Sequence, residues 1–382
     1  MLQRVRGVAG SHPTPFVAID LEQIRRRYAE FVDSSLGPEV FFPVKANQRP
    51  EVLALLHDLG CGFEVASRFE LDRALSLGVH PSRINCGNPI KKKADVRYSF
   101  ARGVQRFCTD TFDDLANIAA EAPGARVYVR LAADGYDSDW PLAGKFGTCD
   151  AQAKELLLHA RSSGLVPCGI SFHVGSQQRN IDRYRDGIQR AKHLFDELAR
   201  NGVELSMLNL GGGFPTRLAT PSPPVQEYLD AISAMVDAAF PHHRPDVIVE
   251  PGRGLVAEAG VIVSEIVRVC RAGGRTGTPA QGCPRVHIDI GLFGGLIEAY
   301  DEAIRFPVHF DRAGPVEQVV LAGPTEDPRD ILYREHRVTM PRACDAGDKA
   351  YVFSTGAYTE SQCAVAGGGM PALTVCFLGQ EN

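Results

Sequence analysis

The sequence contains no paired-cysteine motif and no long apolar run. Its ten cysteines are scattered, and no two of them have the CxxC spacing. This arrangement suits neither a zinc site nor a disulfide framework, so we expect reduced thiols and no bound metal. No segment approaches the roughly 18 apolar residues of a membrane span. The N-terminus also lacks the apolar centre of a signal peptide. We therefore expect a cytoplasmic protein without membrane contacts.

A large net charge of either sign is also absent. The formal net charge is −5, and 23% of the residues are charged. Such a balance gives no reason to expect nucleic acid or an anionic membrane as a partner. The hydrophobic content of 44% is ordinary for a folded protein, and 382 residues are enough for two domains.

Short apolar segments alternate with longer amphipathic ones through the first two thirds of the chain. A first helix is predicted near residues 20–36. Eight predicted strands follow: FFPVKA (41–46), GFEVAS (62–67), INCG (84–87), RFCTD (106–110), ARVYVRL (125–131), GISFHVG (169–175), LSMLNLGGG (205–213) and DVIVEPGR (246–253). Eight strands separated by helices predict a (β/α)₈ (TIM) barrel, which we place at residues 18–259.

Beyond residue 259 the pattern changes to alternating segments divided by turn residues. The predicted strands are VIVSEIVRV (261–269), RVHIDI (285–290), VEQVVLAG (316–323), KAYVFST (349–355) and LTVCFL (373–378). They predict a mainly antiparallel β domain, formed by residues 1–17 and 260–382. Residues 271–284 are predicted to form a mobile hairpin connection.

Polar residues and glycines gather where the predicted barrel strands end. They are Lys45, Glu64, Ser67, Arg130, His173, Ser176, Gly211, Gly212, Gly213, Glu250, Gly252 and Arg253. A barrel of this kind has its active site at the carboxyl ends of the strands. The shared position of these residues, more than any one of them, predicts a site there.

These residue types suit one aldehyde cofactor with a pyridine ring and a phosphate. A lysine buried at the mouth, Lys45, can hold an aldehyde as a Schiff base, because desolvation favours its neutral amine. Glu250 could keep a pyridine nitrogen protonated. The glycine triplet lets backbone N–H groups approach a phosphate, with Ser176 in reach and His173 against the ring. Taken singly, each has a structural explanation: a surface lysine, a helix-terminal carboxylate, a tight turn and a packing histidine.

At these residues the sequence resembles the fold-type III pyridoxal-phosphate (PLP) decarboxylases, the family of ornithine, lysine and diaminopimelate decarboxylases. The similarity extends over nearly the whole chain. The motifs that carry it are PVKAN (43–47), GFEVASRFEL (62–71), INCGNPIK (84–91), SFHVGSQ (171–177), LNLGGGFP (208–215), EPGR (250–253), DIGLFGGLIEA (289–299), GPTEDPRD (323–330) and GDKAYVFSTGAYT (347–359).

The resemblance implies a PLP-dependent amino-acid decarboxylase and a role for each matching residue. Lys45 would bind the aldehyde, Glu250 would pair with the ring nitrogen, and His173 would stack on the ring. The phosphate would lie among Ser176, Gly213, Gly252, Arg253 and Tyr358, and the supporting residues would be Glu64, Glu70 and Arg130. It also implies a homodimer with shared active sites, in which Lys145 and Asp330 resemble a pair that bridges the subunits.

One motif departs from the family. The relatives carry a cysteine in GPTCD, where it is expected to protonate the substrate carbon, and this chain has Glu326. Glu326 could replace that acid if burial raised its pKa, could bind a cationic group of an unusual substrate, or could mark a weakly active homologue. Asp327, which in the relatives receives the distal ammonium group of the substrate, is kept and favours an ornithine-like or lysine-like substrate.

Two further differences affect the substrate. LFGGLIEA (292–299) replaces an arginine-containing motif of diaminopimelate decarboxylases, which argues against that substrate. VAGGGMPAL (365–373) replaces an aromatic patch and suggests a wider entrance. A conjugated or carrier-bound amino acid is therefore one alternative substrate. A racemase and a catalytically silent regulatory homologue are alternatives of other kinds; retention of Lys45, His173 and Glu250 argues against the silent homologue.

Overall fold

A computed structural model describes residues 1–271, 284–364 and 371–379. The chain divides into two compact units. One comprises residues 25–215 and 223–255, and the other residues 1–24, 216–222 and 256–382. We call them the barrel unit and the sheet unit, after the architecture that each contains. The predicted domain bounds, 18–259 for the barrel and the remainder for the β domain, stay a prediction.

The secondary structure alternates strands and helices before it becomes strand-rich. The helices are α1 Leu2–Val8, α2 Leu21–Val32, α3 Pro50–Asp58, α4 Arg68–Ser76, α5 Lys93–Ala101, α6 Phe112–Glu121, α7 Asp150–Ser162, α8 Arg183–Arg200, α9 Val225–Ala239 and α10 Arg253–Val256. The strands up to residue 249 are β1 Phe16–Ile19, β2 Glu39–Pro43, β3 Gly62–Val65, β4 Ile84–Cys86, β5 Arg106–Thr109, β6 Arg126–Arg130, β7 Ser138–Trp140, β8 Val166–Ser171, β9 Ser176–Gln178, β10 Met207–Asn209 and β11 Asp246–Val249. Those that follow are β12 Gly260–Cys270, β13 Arg285–Ile288, β14 Val308–Phe310, β15 Val316–Ala322, β16 Ile331–Pro341, β17 Lys349–Phe353 and β18 Thr374–Phe377. In the described part of the chain no helix is both long and apolar enough to cross a membrane.

The barrel unit is a closed parallel barrel of eight strands, in the order β10-β11-β2-β3-β4-β5-β6-β8. Each of the eight predicted strands is one of these, so the predicted TIM-barrel class is confirmed. Buried side chains from six of the strands form one cluster: Phe41, Cys108, Tyr128, Cys168, Met207 and Ile248. Because all the strands run the same way, their carboxyl ends lie together at one mouth.

Close packing and helix caps shape this unit locally. A Cβ atom added at Gly62 would come within 2.6 Å of the Phe41 ring, so only glycine leaves space for that ring. Helix α6 begins where the Thr111 Oγ1 accepts a hydrogen bond from the Asp114 amide at 3.3 Å. Such a cap satisfies a backbone donor that the first turn of a helix leaves without a partner.

The sheet unit contains an eight-stranded mixed sheet. Its main path is β14-β17-β12-β13-β15-β16, and β1 pairs with both β12 and β18. Most pairs are antiparallel, and two, β1 with β18 and β13 with β15, are parallel. The predicted mainly antiparallel β domain is therefore confirmed. The predicted hairpin at 271–284 and much of the 365–373 segment lie outside the described residues.

Three strands of this sheet were not predicted. Strand β1 is four residues of short apolar sequence between a proline and a helix, and β14 has three residues. Strand β16 carries four consecutive exposed residues from Arg334 to Arg337 at its centre, which hides the two-residue period.

Removal of Lys91 should destabilise the barrel unit. The Lys91 ammonium donates to Asp114 Oδ2 at 2.8 Å and to the Cys108 carbonyl at 2.6 Å, and both charged side chains are only 8% exposed. In Lys91→Met the Asp114 carboxylate would be buried without its cation, so we expect a loss of roughly 3–5 kcal/mol in the free energy of unfolding. Urea denaturation would measure it.

The double variant Lys91→Met with Asp114→Leu is the matched control. It removes both charges together, so it should recover much of the stability that the single variant loses. Equal losses in the single and double variants would contradict a stabilising ion pair at this position.

Candidate active site

Lys45 stands on a rigid stretch of backbone at the barrel mouth. Strand β2 continues into a short 3₁₀ turn at Val44–Ala46, whose Val44 and Ala46 are buried. The Lys45 ammonium forms an ion pair with Glu64 Oε2. The Glu64 side chain is 4% exposed and that of Lys45 is 47% exposed. The expectation that Lys45 is buried is therefore wrong: its side chain is exposed, although its amine is paired with Glu64.

Glu250 follows β11 and meets the same group of charges. The Asn209 side-chain amide donates to Glu250 Oε1 at 2.7 Å. Burial, reinforced by the negative charge of Glu64, raises the pKa of Glu250 to about 7, while the Asn209 hydrogen bond and the charges of Lys45 and Arg130 act in the opposite direction. A carboxyl group so placed exchanges its proton close to neutrality and is suited to pair with a protonated ring nitrogen.

His173 follows β8 and is neutral in the working pH range. Burial, followed by the positive charges of Arg130 and Lys45, lowers the pKa of His173 to about 3. The Gly175 amide donates to its Nδ1 at 3.0 Å, so the ring proton of the neutral form is on Nε2. An uncharged ring can lie against an aromatic cofactor at little desolvation cost.

A backbone cradle lies between the ends of β8, β10 and β11. Gly213 has φ +99°, and a Cβ added there would come within 2.6 Å of the Gly175 carbonyl oxygen. Arg253 is 3% exposed and its Nε donates to Ser176 Oγ at 3.2 Å. Gly252, just before Arg253, is buried as well. Glycine amides, a hydroxyl and a guanidinium group are a donor set that suits an anion such as a phosphate.

A small two-stranded sheet, which we call the rim clasp, borders this cradle. Strands β7 and β9 pair antiparallel, with Trp140 opposite Ser176. Arg179 pairs with Asp139, and Arg183 Nε donates to Asp137 Oδ2 at 2.8 Å. The clasp was not predicted, because its strands are three residues long and carry no apolar alternation.

Ser67 and Glu70 have local structural roles. Ser67 is the N-cap of α4 and its Oγ accepts a hydrogen bond from the Glu70 amide at 3.3 Å. The Glu70 carboxylate accepts one from the Ala66 amide at 2.6 Å. Burial raises the pKa of Glu70, and the Glu64 charge raises it further, while that hydrogen bond and the Lys45 charge lower it. Glu70 is thus electrostatically coupled to the Lys45–Glu64 pair and also caps its helix.

Glu326, Asp327 and Tyr358 belong to the sheet unit. Glu326 is exposed, and Asp327 accepts hydrogen bonds from the amide, Nε and Nη2 of Arg329, with the shortest at 2.6 Å. These contacts lower the pKa of Asp327 to about 2. Tyr358 has a left-handed backbone, with φ +54°.

Asp330 is buried and is engaged within its own chain. Its Oδ1 accepts a hydrogen bond from the Leu292 amide at 2.8 Å, and its Oδ2 accepts from the Thr325 hydroxyl at 2.7 Å. The subunit-bridging pair of Lys145 with Asp330 stays a prediction.

Two residues of the site escaped the sequence analysis. Asn209 bonds Glu250, and Tyr184 donates to the Gly212 carbonyl at 3.0 Å. Asn209 lies inside the LNLGGGFP motif and could have been found there. Tyr184 lies in an amphipathic helix and is 0% exposed, so its sequence indicates only a core residue. Across residues 1–271, 284–364 and 371–379, no group of three or more metal-binding side chains is assembled.

Comparisons with known proteins identify relatives that align over at least nine tenths of this chain. The chain is 32% identical to the lysine/ornithine decarboxylase of Selenomonas ruminantium, covering 100% of this chain and 94% of that protein. It is 29% identical to antizyme inhibitor 2 of Xenopus laevis, covering 90% and 76%. A solved structure of SrLDC in complex with PLP and cadaverine superposes with a TM-score of 0.88 at 30% identity, covering 99% and 93% of the two chains.

A family model described as the pyridoxal-binding domain of pyridoxal-dependent decarboxylases matches residues 21–257, which include the whole barrel. The match spans more than half of the chain. Its range contains Lys45, His173, the glycine turn and Glu250, and it ends where the strand-rich region begins. The chain therefore belongs to the pyridoxal-dependent decarboxylase family.

Proposed function

We propose that this protein uses PLP to decarboxylate a basic L-amino acid, ornithine or lysine, and releases the amine and carbon dioxide. The observation that carries the proposal is the set of groups at one barrel mouth. An exposed lysine side chain, a half-buried carboxyl group and an anion cradle surround a neutral histidine. When bound, PLP supplies an electron sink for the pair left on the substrate carbon after carbon dioxide departs.

The residues at the mouth fit the three polar ends of PLP. Lys45 would hold the aldehyde, since its side chain is 47% exposed and lies between the buried residues Val44 and Ala46. Glu250 would pair with the ring nitrogen, with Asn209 fixing its carboxyl group at 2.7 Å. Gly213 offers a surface that any side chain would obstruct, because a Cβ there would come within 2.6 Å of a carbonyl oxygen. We propose that Gly252, Arg253, Ser176 and Tyr358 complete the phosphate site.

The other residues of the mouth would orient and shield the reacting groups. His173, held by the Gly175 amide, would present an uncharged face to the ring. Glu64 would keep the Lys45 amine at the mouth, and Arg130 would offset the two carboxylates, since its charge affects Glu250. Glu70 would anchor the adjacent helix.

A basic substrate is supported by the relatives and by the GPTEDPRD loop. The Selenomonas relative is named a lysine/ornithine decarboxylase, and a bound cadaverine is named in the SrLDC structure. We propose that Glu326 donates the proton to the substrate carbon and that Asp327 receives the distal ammonium group. We further propose a homodimer in which this loop serves the active site of the partner, in the cytoplasm.

A conjugated or carrier-bound substrate is the alternative within the same chemistry. A silent regulatory homologue is the alternative of another class, and a relative at 29% identity bears the name antizyme inhibitor. Retention of Lys45, His173 and Glu250 in one mouth favours the enzyme, since a silent binder has no need of them.

Lys45 should be the only lysine that attaches PLP. In the purified holoenzyme, borohydride reduction followed by peptide mass analysis should place the pyridoxyl group on Lys45. Lys45→Arg should lose the visible absorption band, together with the release of putrescine or cadaverine from ornithine or lysine, because a guanidinium group is no nucleophile.

Lys92→Arg is the matched control, because Lys92 is an exposed lysine of the same unit. It should retain both the absorption band and turnover. A label on another lysine would contradict the assignment of Lys45. A correctly labelled enzyme that turns over neither amino acid would point to a conjugated substrate.

Glu326→Gln should misdirect the proton. Without an acidic group near the substrate carbon, we expect amine formation to fall by about 100-fold. The share of aldehyde and pyridoxamine phosphate, which form when the proton is placed on the cofactor carbon, should rise. Chromatography of the products at single turnover measures the ratio.

Glu326→Cys restores an acid of the kind that the relatives carry, and it should restore the amine as the main product. If Glu326→Gln kept full turnover and an unchanged product ratio, Glu326 would not be the proton donor.

His173 should make the stability of the apoprotein depend on pH. Its pKa is about 3 in the folded protein and about 6.5 when unfolded, so between these values the unfolded chain binds the extra proton. Stability therefore rises with pH up to about 6.5, by at most roughly 1.4 kcal/mol per pH unit. Glu250, whose pKa is raised, acts in the opposite direction.

The contribution of His173 is isolated by comparing the wild type with His173→Asn, because Glu250 is common to both proteins. Urea unfolding between pH 4 and 8 should show a difference in stability that grows to about pH 6.5 and is then constant. Parallel curves over the whole range would contradict a neutral, half-buried His173.

A further inference from the structure

The glycine turn of the cradle is held by its carbonyl groups. The Gly211 carbonyl accepts a hydrogen bond from the Glu250 amide at 2.8 Å. The Gly212 carbonyl accepts one from the Tyr184 hydroxyl at 3.0 Å, and the Gly213 carbonyl accepts one from the Gln178 amide at 2.9 Å. Each peptide unit of the turn is therefore oriented by a separate donor, and for the unit that joins Gly212 to Gly213 this donor is a side chain.

The hydrogen bonds to the Gly211 and Gly212 carbonyls also fix the directions of the Gly212 and Gly213 amides. In a planar trans peptide the C=O and the following N–H point in opposite directions. Since the Gly212 carbonyl points to the Tyr184 hydroxyl, the Gly213 amide points away from it. By the same geometry, the Gly212 amide points away from the Glu250 amide that holds the Gly211 carbonyl.

These two amides are available to a ligand. Among the residues that the structure describes, no atom accepts a hydrogen bond from the Gly212 or Gly213 N–H, whereas the Gly211 amide donates to the Asn209 side chain at 2.9 Å. Successive backbone donors that point in one direction bind anions. The Gly213 amide can do so only while its peptide unit keeps this orientation, and glycine resists rotation less than any other residue.

Tyr184 is itself immobile. It lies in α8, is 0% exposed, and its ring stacks in a tilted arrangement on Phe214, with the centroids 5.5 Å apart. Its hydroxyl lies 3.2 Å from the position that a Cβ of Gly213 would occupy. A rigid aromatic side chain thus presents one hydrogen-bond donor to a flexible turn.

We propose that Tyr184 is a positioning residue for cofactor binding, which aims the Gly213 amide at the phosphate by holding the Gly212 carbonyl. The inference rests on the proposed phosphate site. It extends that site to a residue that contacts no part of the ligand. The effect should be specific to the phosphate end of PLP, because the hydroxyl donates its hydrogen bond to the glycine turn.

The test compares PLP with pyridoxal, which lacks the phosphate. Binding of each to the apoprotein of the wild type and of Tyr184→Phe is measured by titration of the visible absorbance. Loss of one aimed donor to a charged group should weaken PLP binding about tenfold, and pyridoxal binding should change less than about twofold, since no phosphate contact is involved.

Tyr333→Phe is the matched control. Tyr333 is also buried and donates to a backbone carbonyl, that of Ile304, at 3.0 Å, but it lies in the sheet unit. It should leave the affinity for PLP unchanged. Equal weakening of PLP and pyridoxal in Tyr184→Phe, or an unchanged affinity for PLP, would overturn the inference and leave the proposed function intact. A wild-type protein that binds neither compound would overturn both.

Discussion

Two carboxyl groups, those of Glu64 and Glu250, lie at one barrel mouth, and their negative charges must be compensated there. Burial and the negative charge of Glu64 both make Glu250 harder to ionise, and its pKa is raised accordingly. Lys45 and Arg130 supply compensating charge, and Asn209 supplies a hydrogen bond. The two carboxyl groups and the two cations at the mouth therefore nearly balance. Glu250 is the group best placed to accept one additional proton or to pair with one additional cation.

The second feature of the mouth is a set of backbone donors that suits an anion close to these carboxylates. The cradle uses glycine amides, which carry partial charges and are fixed by the fold, with one guanidinium group from Arg253. Its parts come from segments that follow three neighbouring barrel strands, β8, β10 and β11. Closure of the barrel brings these segments together, so an open sheet of the same strands would separate them.

Strand positions and most rim residues were predictable because apolar periodicity and strand ends are local properties of the sequence. Lys45, Glu64, His173 and Glu250 all lie at predicted strand ends. The exposure of Lys45 was not predictable, because it depends on the ion pair with Glu64 across two strands. The role of Tyr184 was not predictable for a similar reason. Its hydroxyl donates to a carbonyl 28 positions away, and its ring has the sequence pattern of an ordinary core residue. The sequence also does not indicate that Arg329 donates hydrogen bonds to the Asp327 carboxylate, because this contact depends on how the loop folds.

The rim clasp gives the cradle a sensitivity to dissolved salt. Strand β9 carries Ser176, and its partner strand is held in place by Arg179 with Asp139 and by Arg183 with Asp137. The second of these ion pairs is 37% and 45% exposed, so mobile ions screen it readily. With a phosphate in the cradle, as we propose, rising ionic strength would act on this corner of the barrel twice: chloride or sulfate would compete for the cradle, and the surrounding ions would loosen the strand that shapes it.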